Sequence, residues 1–322
     1  MKAAVRTKYG SGNVLSIQEI AIPSLKANEI LIRVYAATAN RSDCHVLTGK
    51  PFVMRLFTGL FKPKRSTTGT DFAGQIEEIG EAVKSFKVGD RVMGFGGVFG
   101  CASHAEYLVL PETKAIKIMV TIPANITYDQ AAACPEGTFY AASVVNRLKP
   151  TAGQKALVYG ATGAIGSAYV QFLKYYGLYV TAVCGGEHTD LVRSLGADKV
   201  IDYKTQDFTK DDEQYDHVFD AVGKSSFAKC KRLLKPKGIY FPSDGAVNLF
   251  LVPITKLFGG KRVAFTGPSD IKGTLGFIKD LVEKGNFKPL IDRTYPLAKI
   301  AEAFAYVFTG QKTGNVIIVM DA

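Results

Sequence analysis

Glycines at a fixed spacing form the part of this sequence with the clearest chemical meaning. The segment Gly160–Gly166, GATGAIG, follows the apolar run Ala156–Tyr159 and precedes a predicted helix over Ser167–Tyr176. Such glycines let the backbone turn sharply and approach a pyrophosphate, while the helix N-terminus offers free amides and a positive dipole end to the phosphates. A second apolar run, Tyr179–Val183, follows at the distance expected of a strand–helix–strand unit. The segment therefore predicts a dinucleotide site.

The residues after this second run bear on which dinucleotide is bound. An acid at the strand end accepts the ribose hydroxyls of NAD, whereas a basic residue with small neighbours accommodates the 2′-phosphate of NADP. This chain has Cys184, two glycines, Glu187 and His188, with no Lys or Arg until Arg193. The two glycines leave room for a 2′-phosphate, whereas the negative charge of Glu187 would repel it. The signals are mixed, and we favour NADP(H) over NAD(H).

Apolar runs along the chain predict the elements that position this turn. Residues 1–120 contain short runs separated by Gly, Asn and Pro, which is typical of a small, mostly β domain. Farther on, apolar runs alternate with helical stretches, which predicts a parallel sheet of the doubly wound kind. The first group of predicted strands is Met1–Thr7, Leu15–Ile20, Glu29–Ala37, Asp71–Ile79, Arg91–Phe95 and His104–Leu110. The second group is Ala156–Tyr159, Tyr179–Val183, Lys199–Ile201, His217–Asp220, Ile239–Phe241 and Arg262–Thr266.

Two further segments complete the predicted organisation. A helix is expected over Thr127–Arg147, opened by a capping box between Thr127 and Gln130. After the parallel sheet, an extended run, a helix over Leu297–Thr309 and a last strand over Gly314–Met320 have to pack somewhere, and we expect them to return to the first domain. The predicted domains are thus 1–122 with 286–322, and 123–285.

Composition narrows the class of protein. With 322 residues, 47% hydrophobic and 21% charged, the chain is an ordinary globular one of about two domains. We expect a cytoplasmic protein, because no segment resembles a signal peptide or a membrane span. The five scattered cysteines lack the paired spacing of a structural zinc site. The net charge of +11 is compatible with a solvated basic surface and with anionic partners.

Several motifs in order resemble the medium-chain dehydrogenase/reductase superfamily, nearest its zinc-independent quinone oxidoreductase, zeta-crystallin-like branch. The resemblance covers nearly the whole chain and implies an α/β fold, a Rossmann doubly wound parallel sheet inserted in a GroES-like, mostly β catalytic domain. Its carriers, besides the glycine-rich turn, are Asn40–Asp43, Gly69–Gly74, Val88–Val92, Ala105–Tyr107, Ser194–Asp198, Ile201–Tyr203 and Phe219–Gly223.

The resemblance also bears on metal binding. Zinc-dependent relatives place Cys where this chain has Asn40, and Gly-His-Glu where it has Gly69, Thr70 and Asp71. Cys134 falls near a third ligand position, but one thiol does not make a catalytic zinc site, which needs three protein ligands. We expect no metal, and therefore NAD(P)H-dependent reduction of quinones or α,β-unsaturated carbonyl compounds. In that reaction donors stabilise an enolate-like oxygen and supply one proton.

Three residues are the predicted catalytic set. Asn40 replaces the metal-ligating Cys, so we expect its amide near the substrate; the alternative is an Asn that caps a loop. Ser42 and His45 match the Ser and His that relay a proton in metal-dependent relatives, and quinone reductases often have Tyr in place of His45. The alternative for His45 is a surface or ribose-contacting role. Asp43 and Asp71 are read as structural acids in hydrogen-bonded turns rather than as a catalytic pair.

The resemblance further implies a set of cofactor contacts. They are Thr138, Gly160, Thr162, Gly163, Ala164, Ile165, Gly166, Cys184, Gly185, Glu187, His188, Tyr203, Ala221, Val222, Gly223, Ser243, Gly245 and Asn315.

Other readings stay open. The basic, apolar segments 54–65 and 250–262 could form lids over a hydrophobic substrate or lie on an anionic membrane surface. The reaction could be that of an alcohol dehydrogenase or aldehyde reductase. A role in RNA binding is disfavoured because no RNA motif is present. The strand at Arg262–Phe265 leaves a sheet edge that needs covering, and the resemblance implies a homodimer formed there.

Overall fold

The computed structural model describes residues 1–97, 100–243, 246–265 and 270–320. The chain divides into two compact units, Met1–Phe139 with Asp270–Ala322 and Tyr140–Ser269. The domain limits expected from the sequence, at 122 and 286, stay a prediction. In the first unit the chain beyond those limits packs on the β elements, because helices at 128–132 and 271–283 contact its strands.

The strands and helices are as follows. The strands are β1 (Lys2–Val5), β2 (Ser16–Glu19), β3 (Glu29–Thr38), β4 (Asp71–Ile79), β5 (Arg91–Phe95), β6 (Tyr107–Pro111), β7 (Met119–Thr121), β8 (Lys155–Tyr159), β9 (Tyr179–Cys184), β10 (Lys199–Asp202), β11 (Tyr215–Asp220), β12 (Leu234–Pro242), β13 (Arg262–Val263), β14 (Ile291–Pro296) and β15 (Asn315–Val319). The helices are α1 (Arg41–Thr48), α2 (Met54–Thr58), α3 (Glu112–Ile118), α4 (Tyr128–Ala132), α5 (Glu136–Leu148), α6 (Ala164–Tyr175), α7 (Thr189–Ser194), α8 (Phe227–Cys230), α9 (Ala246–Leu257), α10 (Ile271–Glu283) and α11 (Ile300–Thr309).

A seven-stranded sheet forms the body of the first unit. Its order is β14-β15-β3-β4-β5-β7, with β6 also paired to β3. The long strand β3 pairs with β4, β6 and β15, and its residues Ile30, Leu31, Ile32 and Val34 are buried. β15 pairs with β3 and β14 with β15, so the last elements of the chain complete this sheet. The end of β3 carries the chain directly into α1, which begins the candidate site.

A six-stranded sheet forms the second unit. Every neighbouring pair is parallel, in the order β10-β9-β8-β11-β12-β13. Numbered within the unit this is 3-2-1-4-5-6, the doubly wound order of dinucleotide-binding proteins. The predicted α/β fold with a doubly wound parallel sheet is confirmed. Among the described residues, no helix combines the length and the apolar character that crossing a membrane requires.

The structure corrects one predicted helix. The segment Thr127–Arg147 forms two helices, α4 and α5, interrupted at Cys134 and Pro135. A proline cannot donate a helical hydrogen bond, and it disfavours helical geometry in the residue before it. The expected capping box is present, with Gln130 N donating to Thr127 Oγ1 at 3.3 Å and Thr127 N to Gln130 Oε1 at 3.1 Å. The break allows Glu136 to begin a new helix.

Three strands differ from the prediction by more than two residues at one end. The strand expected over Ile239–Phe241 begins earlier, at Leu234, as β12. The strand expected over His104–Leu110 begins at Tyr107, because His104 is buried and its ring bonds Thr38 O and Thr68. The strand expected over Arg262–Thr266 is ordered as β13 over two residues, and Thr266 lies outside the described residues.

Candidate active site

The candidate active site begins where β3 passes into α1. Asn40 is the N-cap residue of α1, and its backbone amide donates to Asp43 Oδ2 at 2.9 Å. This local bond orients both residues at the start of the helix. Asn40, as the N-cap residue, still has extended backbone angles, and its free amide is therefore available to Asp43. Asn40 thus occupies the capping position that the sequence analysis gave as the alternative reading, while its place near the substrate stays a prediction.

The side-chain amide of Asn40 is directed into the protein. Its Nδ2 donates to Glu136 Oε2 at 2.8 Å, lies 3.2 Å from Asp71 Oδ2 and bonds the hydroxyl of Thr38. An amide nitrogen carries two hydrogens. Both are therefore taken up inside the first unit, and Asn40 can donate to a bound molecule only by exchanging one of these bonds.

Three carboxyl groups meet around this amide. Asp43, Asp71 and Glu136 are 1%, 1% and 3% exposed. Burial, together with the charge of Glu136, raises the pKa of Asp71 to about 8, while hydrogen bonds from Thr38 oppose the shift. Burial and the charges of Glu136 and Asp71 also raise the pKa of Asp43 well above its ordinary value. At neutral pH the cluster therefore retains protons that exposed carboxyls would have lost.

Hydroxyl and ammonium groups complete the cluster. Thr70 Oγ1 bonds Glu136 Oε2 and lies 3.4 Å from Asp43 Oδ2. The side chain of Ser42 also bonds Glu136; burial raises the pKa of this carboxyl and these donors oppose the shift. Burial lowers the pKa of Lys312 to about 8, and the charge of Glu136 opposes that change. Glu136 is thus the acceptor that joins Asn40, Ser42 and Thr70.

The residues at the positions of the zinc ligands do not fit a zinc ion. Asn40 and Thr70 present hydrogen-bond donors to Glu136, whereas zinc needs lone pairs. The thiol of Cys134 donates to Gln130 O at 3.2 Å, and burial raises its pKa to about 12, which disfavours the thiolate that binds metal. In the described part of the chain, no group of His, Cys, Asp and Glu residues has the arrangement of a metal site.

The other two predicted catalytic residues lie on α1. Ser42 is partly buried and bonded to Glu136, whereas His45 is half-buried one turn farther along the helix. His45 Nδ1 lies 2.9 Å from the carbonyl oxygen of Lys50. A carbonyl can only accept, so Nδ1 carries the hydrogen and Nε2 is the second ring position for a proton. The catalytic roles of Asn40, Ser42 and His45 stay predictions.

The glycine-rich turn of the second unit has the expected strand–turn–helix geometry. Gly160 has a φ of 80°, which disfavours any residue with a side chain. A Cβ added at Gly166 would lie 2.0 Å from the carbonyl oxygen of Gly160, so only glycine allows this approach of helix to strand. Gly163 is the N-cap of α6, whose first residues are Ala164 and Ile165. The turn, with Thr162 between its glycines, is shaped to hold a pyrophosphate at the start of α6.

The corner after β9 contains a cation that the sequence reading missed. Lys204 Nζ donates to Glu187 Oε1 at 2.7 Å, and this bond lowers the pKa of Glu187. Cys184 ends β9, Gly185 follows it, and Gly186 and His188 flank Glu187. Lys204 follows Tyr203 after the neighbouring strand β10, so the two corners meet at one edge of the sheet. Glu187, the acid that disfavoured NADP in the sequence analysis, is therefore paired with Lys204.

The loop after β11 is held by one carboxylate. Asp220 Oδ1 accepts from the amides of Val222 at 3.1 Å and Gly223 at 2.8 Å, which shapes the turn that begins at Ala221. Ser243 N donates to Asp220 O at 2.9 Å, so the end of the next strand lies beside it. The predicted contact Gly245 lies outside the described residues.

Two predicted cofactor contacts belong to the first unit. Thr138 is buried, and Asn315 Nδ2 donates to Leu290 O at 3.0 Å and Ala133 O at 3.3 Å. These bonds tie the start of β15 to the residues before α5. Their contact with a dinucleotide stays a prediction, as do the other cofactor contacts.

Sequence reasoning missed Glu136, Lys312 and Lys204. Glu136 stands two residues after Cys134, which the sequence analysis named only as a thiol insufficient for a zinc site. Lys312 stands close to the Thr313–Asn315 segment already singled out, and Lys204 directly follows the Ile201–Tyr203 motif. A search for charged residues adjoining each motif would have found all three.

Two family models match the chain. Residues 26–121 match the alcohol dehydrogenase GroES-like domain, and residues 195–318 match a model described as zinc-binding dehydrogenase.

Curated relatives match over nearly the full chain. An NADPH-dependent alkenal/one oxidoreductase, chloroplastic, of Arabidopsis thaliana is 32% identical, covering 99% of this chain and 79% of the relative. A chloroplastic quinone oxidoreductase of Triphysaria versicolor is also 32% identical, covering 99% and 98%. Among solved structures, the quinone oxidoreductase from Coxiella burnetii superposes with a TM-score of 0.89 at 23% identity, covering 100% of this chain and 99% of that one.

Proposed function

Because this chain belongs to the medium-chain dehydrogenase/reductase superfamily, in its quinone oxidoreductase branch, we propose that it reduces enones, alkenals or quinones with NADPH and without a metal. It is an NAD(P)H-dependent oxidoreductase. The observation that carries the substrate class is the full-length 32% identity to an NADPH-dependent alkenal/one oxidoreductase. A quinone oxidoreductase of equal identity supports the same class, and neither relative favours the alcohol dehydrogenase alternative.

NADPH, when bound, supplies the hydride. The protein has to hold the carbonyl oxygen, on which negative charge develops, and deliver one proton. We assign the proton-donor role to His45, because its ring carries an exchangeable proton, and keep Ser42, whose hydroxyl bonds Glu136, as the second member of the predicted proton relay. We assign a positioning role to Asn40, because its amide binds the same Glu136 carboxylate that Ser42 bonds.

The absence of metal from the reaction is supported by side-chain chemistry. Asn40 and Thr70 stand where zinc-dependent relatives have ligands, and both donate hydrogen bonds to Glu136. The carboxyl cluster uses these donors to offset its own burial. A zinc ion would have to displace them and to ionise the thiol of Cys134.

The preference for NADP(H) is supported by the corner after β9. Lys204 pairs with Glu187 and so removes the repulsion that this acid would exert on a 2′-phosphate. Gly185 and Gly186 place no side chain beside the pair, although the Asp202 carboxylate lies next to Gly186. Lys204 is exposed and its ammonium can bond both partners.

A peripheral contact with anionic membranes is a second proposal. Phe57 and Phe61 are 60% and 89% exposed in the segment that also carries Lys62, Lys64 and Arg65. On α9 and after it, Leu257 and Phe258 are 83% and 80% exposed. Apolar side chains beside basic ones favour the surface of an anionic bilayer. In a vesicle co-sedimentation assay at low salt, Phe61→Ser should reduce the fraction of protein that pellets with anionic vesicles. If the wild-type protein does not pellet, the alternative is favoured, in which these segments form lids over a hydrophobic substrate.

Assembly and location also remain proposals. Among the described residues β13 pairs with β12 alone, so its other edge can pair with a second copy, and we propose a homodimer. Light scattering that gives a monomer at working concentration would contradict it. A cytoplasmic location stays a prediction; the two plant relatives carry the word chloroplastic in their names.

A substrate screen tests the principal proposal. Enones, alkenals, quinones and simple aldehydes are each tested with NADPH and with NADH, with and without a chelator. We expect NADPH-dependent turnover of the first three classes that the chelator leaves unchanged. Chelator-sensitive activity would overturn the metal-free reaction, and turnover of simple aldehydes alone would overturn the substrate class.

A further inference from the structure

A cavity of about 210 Å³ lies within the first unit, behind Asp43. It is bounded by Arg6 from the end of β1, Asp43 and Val46 from α1, and Phe57 from α2, and by the segment that contains Lys64 and Arg65. At about 30 Å³ per water molecule, this volume holds about seven waters or one small organic molecule.

Two buried charged side chains on this cavity are incompletely satisfied. Arg6 and Asp43 are 3% and 1% exposed. Arg6 Nη1 donates to Val46 O at 2.6 Å and Leu47 O at 3.0 Å, which fixes the guanidinium against α1. Among the described residues, Arg6 Nε and Asp43 Oδ1 have no hydrogen-bond partner. An unsatisfied buried polar group of this kind is costly, so it points to a missing partner.

The charges that face the cavity are mostly positive. Arg6, Lys64 and Arg65 supply three cations, against one carboxyl from Asp43. Because Asp43 is surrounded by the other two buried carboxyls of the cluster, its environment disfavours its negative charge. The cavity is therefore suited to an anion, with the Asp43 carboxyl able to donate when protonated.

The hydroxyl of Thr68 on the cavity wall is committed to His104. Burial lowers the pKa of His104 to about 4, so the ring is neutral at physiological pH. Its Nε2 lies 2.9 Å from Thr38 O and must donate there, so Nδ1 accepts from Thr68 Oγ1 at 2.8 Å. Thr68 has no hydrogen left to offer a ligand. The cationic side chains are thus the principal donors of the cavity.

We propose that this cavity binds a small organic anion with a carboxylate head, held by Arg6 and Lys64, and a short apolar body against Val46 and Phe57. The guanidinium, held in place by α1, is preorganised for a carboxylate. The apolar wall distinguishes such a ligand from inorganic phosphate. This site goes beyond the proposed reduction, because it takes a different ligand and needs no dinucleotide.

Asp43 connects the cavity to the candidate active site, because it lines the cavity and also bonds Asn40. Asp43 lines the cavity and its Oδ1 has no hydrogen-bond partner among the described residues, while Oδ2 accepts from the backbone amide of Asn40 at 2.9 Å and lies 3.4 Å from Thr70 Oγ1. A carboxylate ligand that bonds Oδ1 therefore binds the protonated form of Asp43. The bound anion and the proton of this cluster stabilise one another.

The test is a titration of the full chain, without dinucleotide or enone, with acetate, butyrate, hexanoate, phosphate and chloride. The ¹H–¹⁵N signals of arginine Nε groups report binding, and the Arg6 signal is assigned with Arg6→Lys. We expect saturable shifts of that signal, with affinity rising about two- to fourfold per added methylene as apolar surface is buried. Phosphate and chloride should bind more weakly than butyrate.

Charge variants provide the matched control. Lys64→Gln should weaken butyrate binding at least threefold, whereas Lys62→Gln, an equal charge change on an exposed neighbour outside the cavity lining, should leave it within twofold. If Arg6→Lys does not fold, Lys64→Gln combined with Arg65→Gln decides the question by loss of binding. The proposal is overturned by absence of saturation, by equal shifts from chloride and butyrate, or by equal effects of Lys62→Gln and Lys64→Gln. Because no turnover is measured, its failure is separable from failure of the proposed reductase activity.

Discussion

The side-chain amide of Asn40 donates to a carboxylate oxygen of Glu136 at 2.8 Å, across 96 residues of sequence. This bond joins the start of α1 to the start of α5 in the first unit. Since Ser42 bonds the same carboxyl, Asn40 sets the acceptor that orients this hydroxyl. This shared acceptor is the basis of the positioning role proposed for Asn40, which would act on the reaction through Ser42.

Removal of the Asn40 amide tests this positioning role. Asn40→Ala should lower kcat on an enone tenfold to a hundredfold, on the order of the effect of misplacing a reacting group by about 1 Å, while KM for NADPH stays within twofold. Asn40→Ser, which retains a donor, should restore part of kcat. Steady-state kinetics give both values. Asn28→Ala, on an exposed asparagine, is the control; an equal loss of kcat in Asn40→Ala and Asn40→Ser would contradict the role.

The proton-donor role of His45 predicts a change in pH dependence. His45→Phe should lower kcat and change its pH profile, because the proton then has to come from solvent rather than from a ring nitrogen. His45→Tyr, which restores an O–H donor, should retain more activity at high pH. The measurement is kcat against pH from 6 to 9 for the three proteins. An unchanged profile in His45→Phe would remove the proposal.

The buried carboxyl of Asp71 predicts how stability depends on pH. Its pKa is raised to about 8, so between about pH 4 and pH 8 the folded chain holds a proton that the unfolded chain has lost. The free energy of unfolding is therefore greatest below the pKa that Asp71 has in the unfolded chain. It falls as pH rises through this window, by at most about 1.4 kcal/mol per pH unit. Urea unfolding at pH 5, 6, 7 and 8 should show a shallower fall for Asp71→Asn. Parallel profiles for variant and wild type would show that Asp71 is ionised in the folded state.

The Lys204–Glu187 pair predicts the cofactor preference. Lys204→Gln should raise KM for NADPH about tenfold and change KM for NADH little, since the lost charge-assisted hydrogen bond is of the order of 1.5–3 kcal/mol and concerns the 2′-phosphate. Glu187→Gln should lower KM for NADPH. Lys210→Gln, on another exposed lysine of the second unit, is the control. If Lys204→Gln lowers the affinities for NADH and NADPH equally, Lys204 does not contact the 2′-phosphate.

The close approach of α6 to β8 predicts the effect of a single methyl group. In Gly166→Ala the new Cβ would meet Gly160 O, a backbone atom that cannot move aside, so NADPH binding should weaken at least tenfold and Tm should fall. Gly276→Ala, inside α10 with nothing within 4 Å of its Cβ, should instead stabilise the chain by about 0.5–1 kcal/mol. Thermal unfolding and NADPH fluorescence titration measure both. A Gly166→Ala protein that binds NADPH normally would contradict the assigned turn.

The sequence by itself determined the features that arise over short spans of chain. The turn at Gly160–Gly166 was readable because its glycines, preceding strand and following helix are contiguous, and local backbone geometry decides their conformation. The doubly wound sheet was readable because each of its strands is a short apolar run between helices. The absence of zinc, expected from the identity of Asn40, Thr70 and Cys134, stays a prediction.

Tertiary structure alone decided which side chains meet. Glu136 joins Asn40 and Thr70 only because Pro135 ends one helix and lets α5 begin beside β4, and no spacing in the sequence records that contact. Lys204 reaches Glu187 only because β10 lies next to β9, so the charge balance at the ribose corner depends on sheet order. The pKa values of Asp43 and Asp71 are raised by burial, since exclusion of water changes the pKa of a carboxyl without changing its identity.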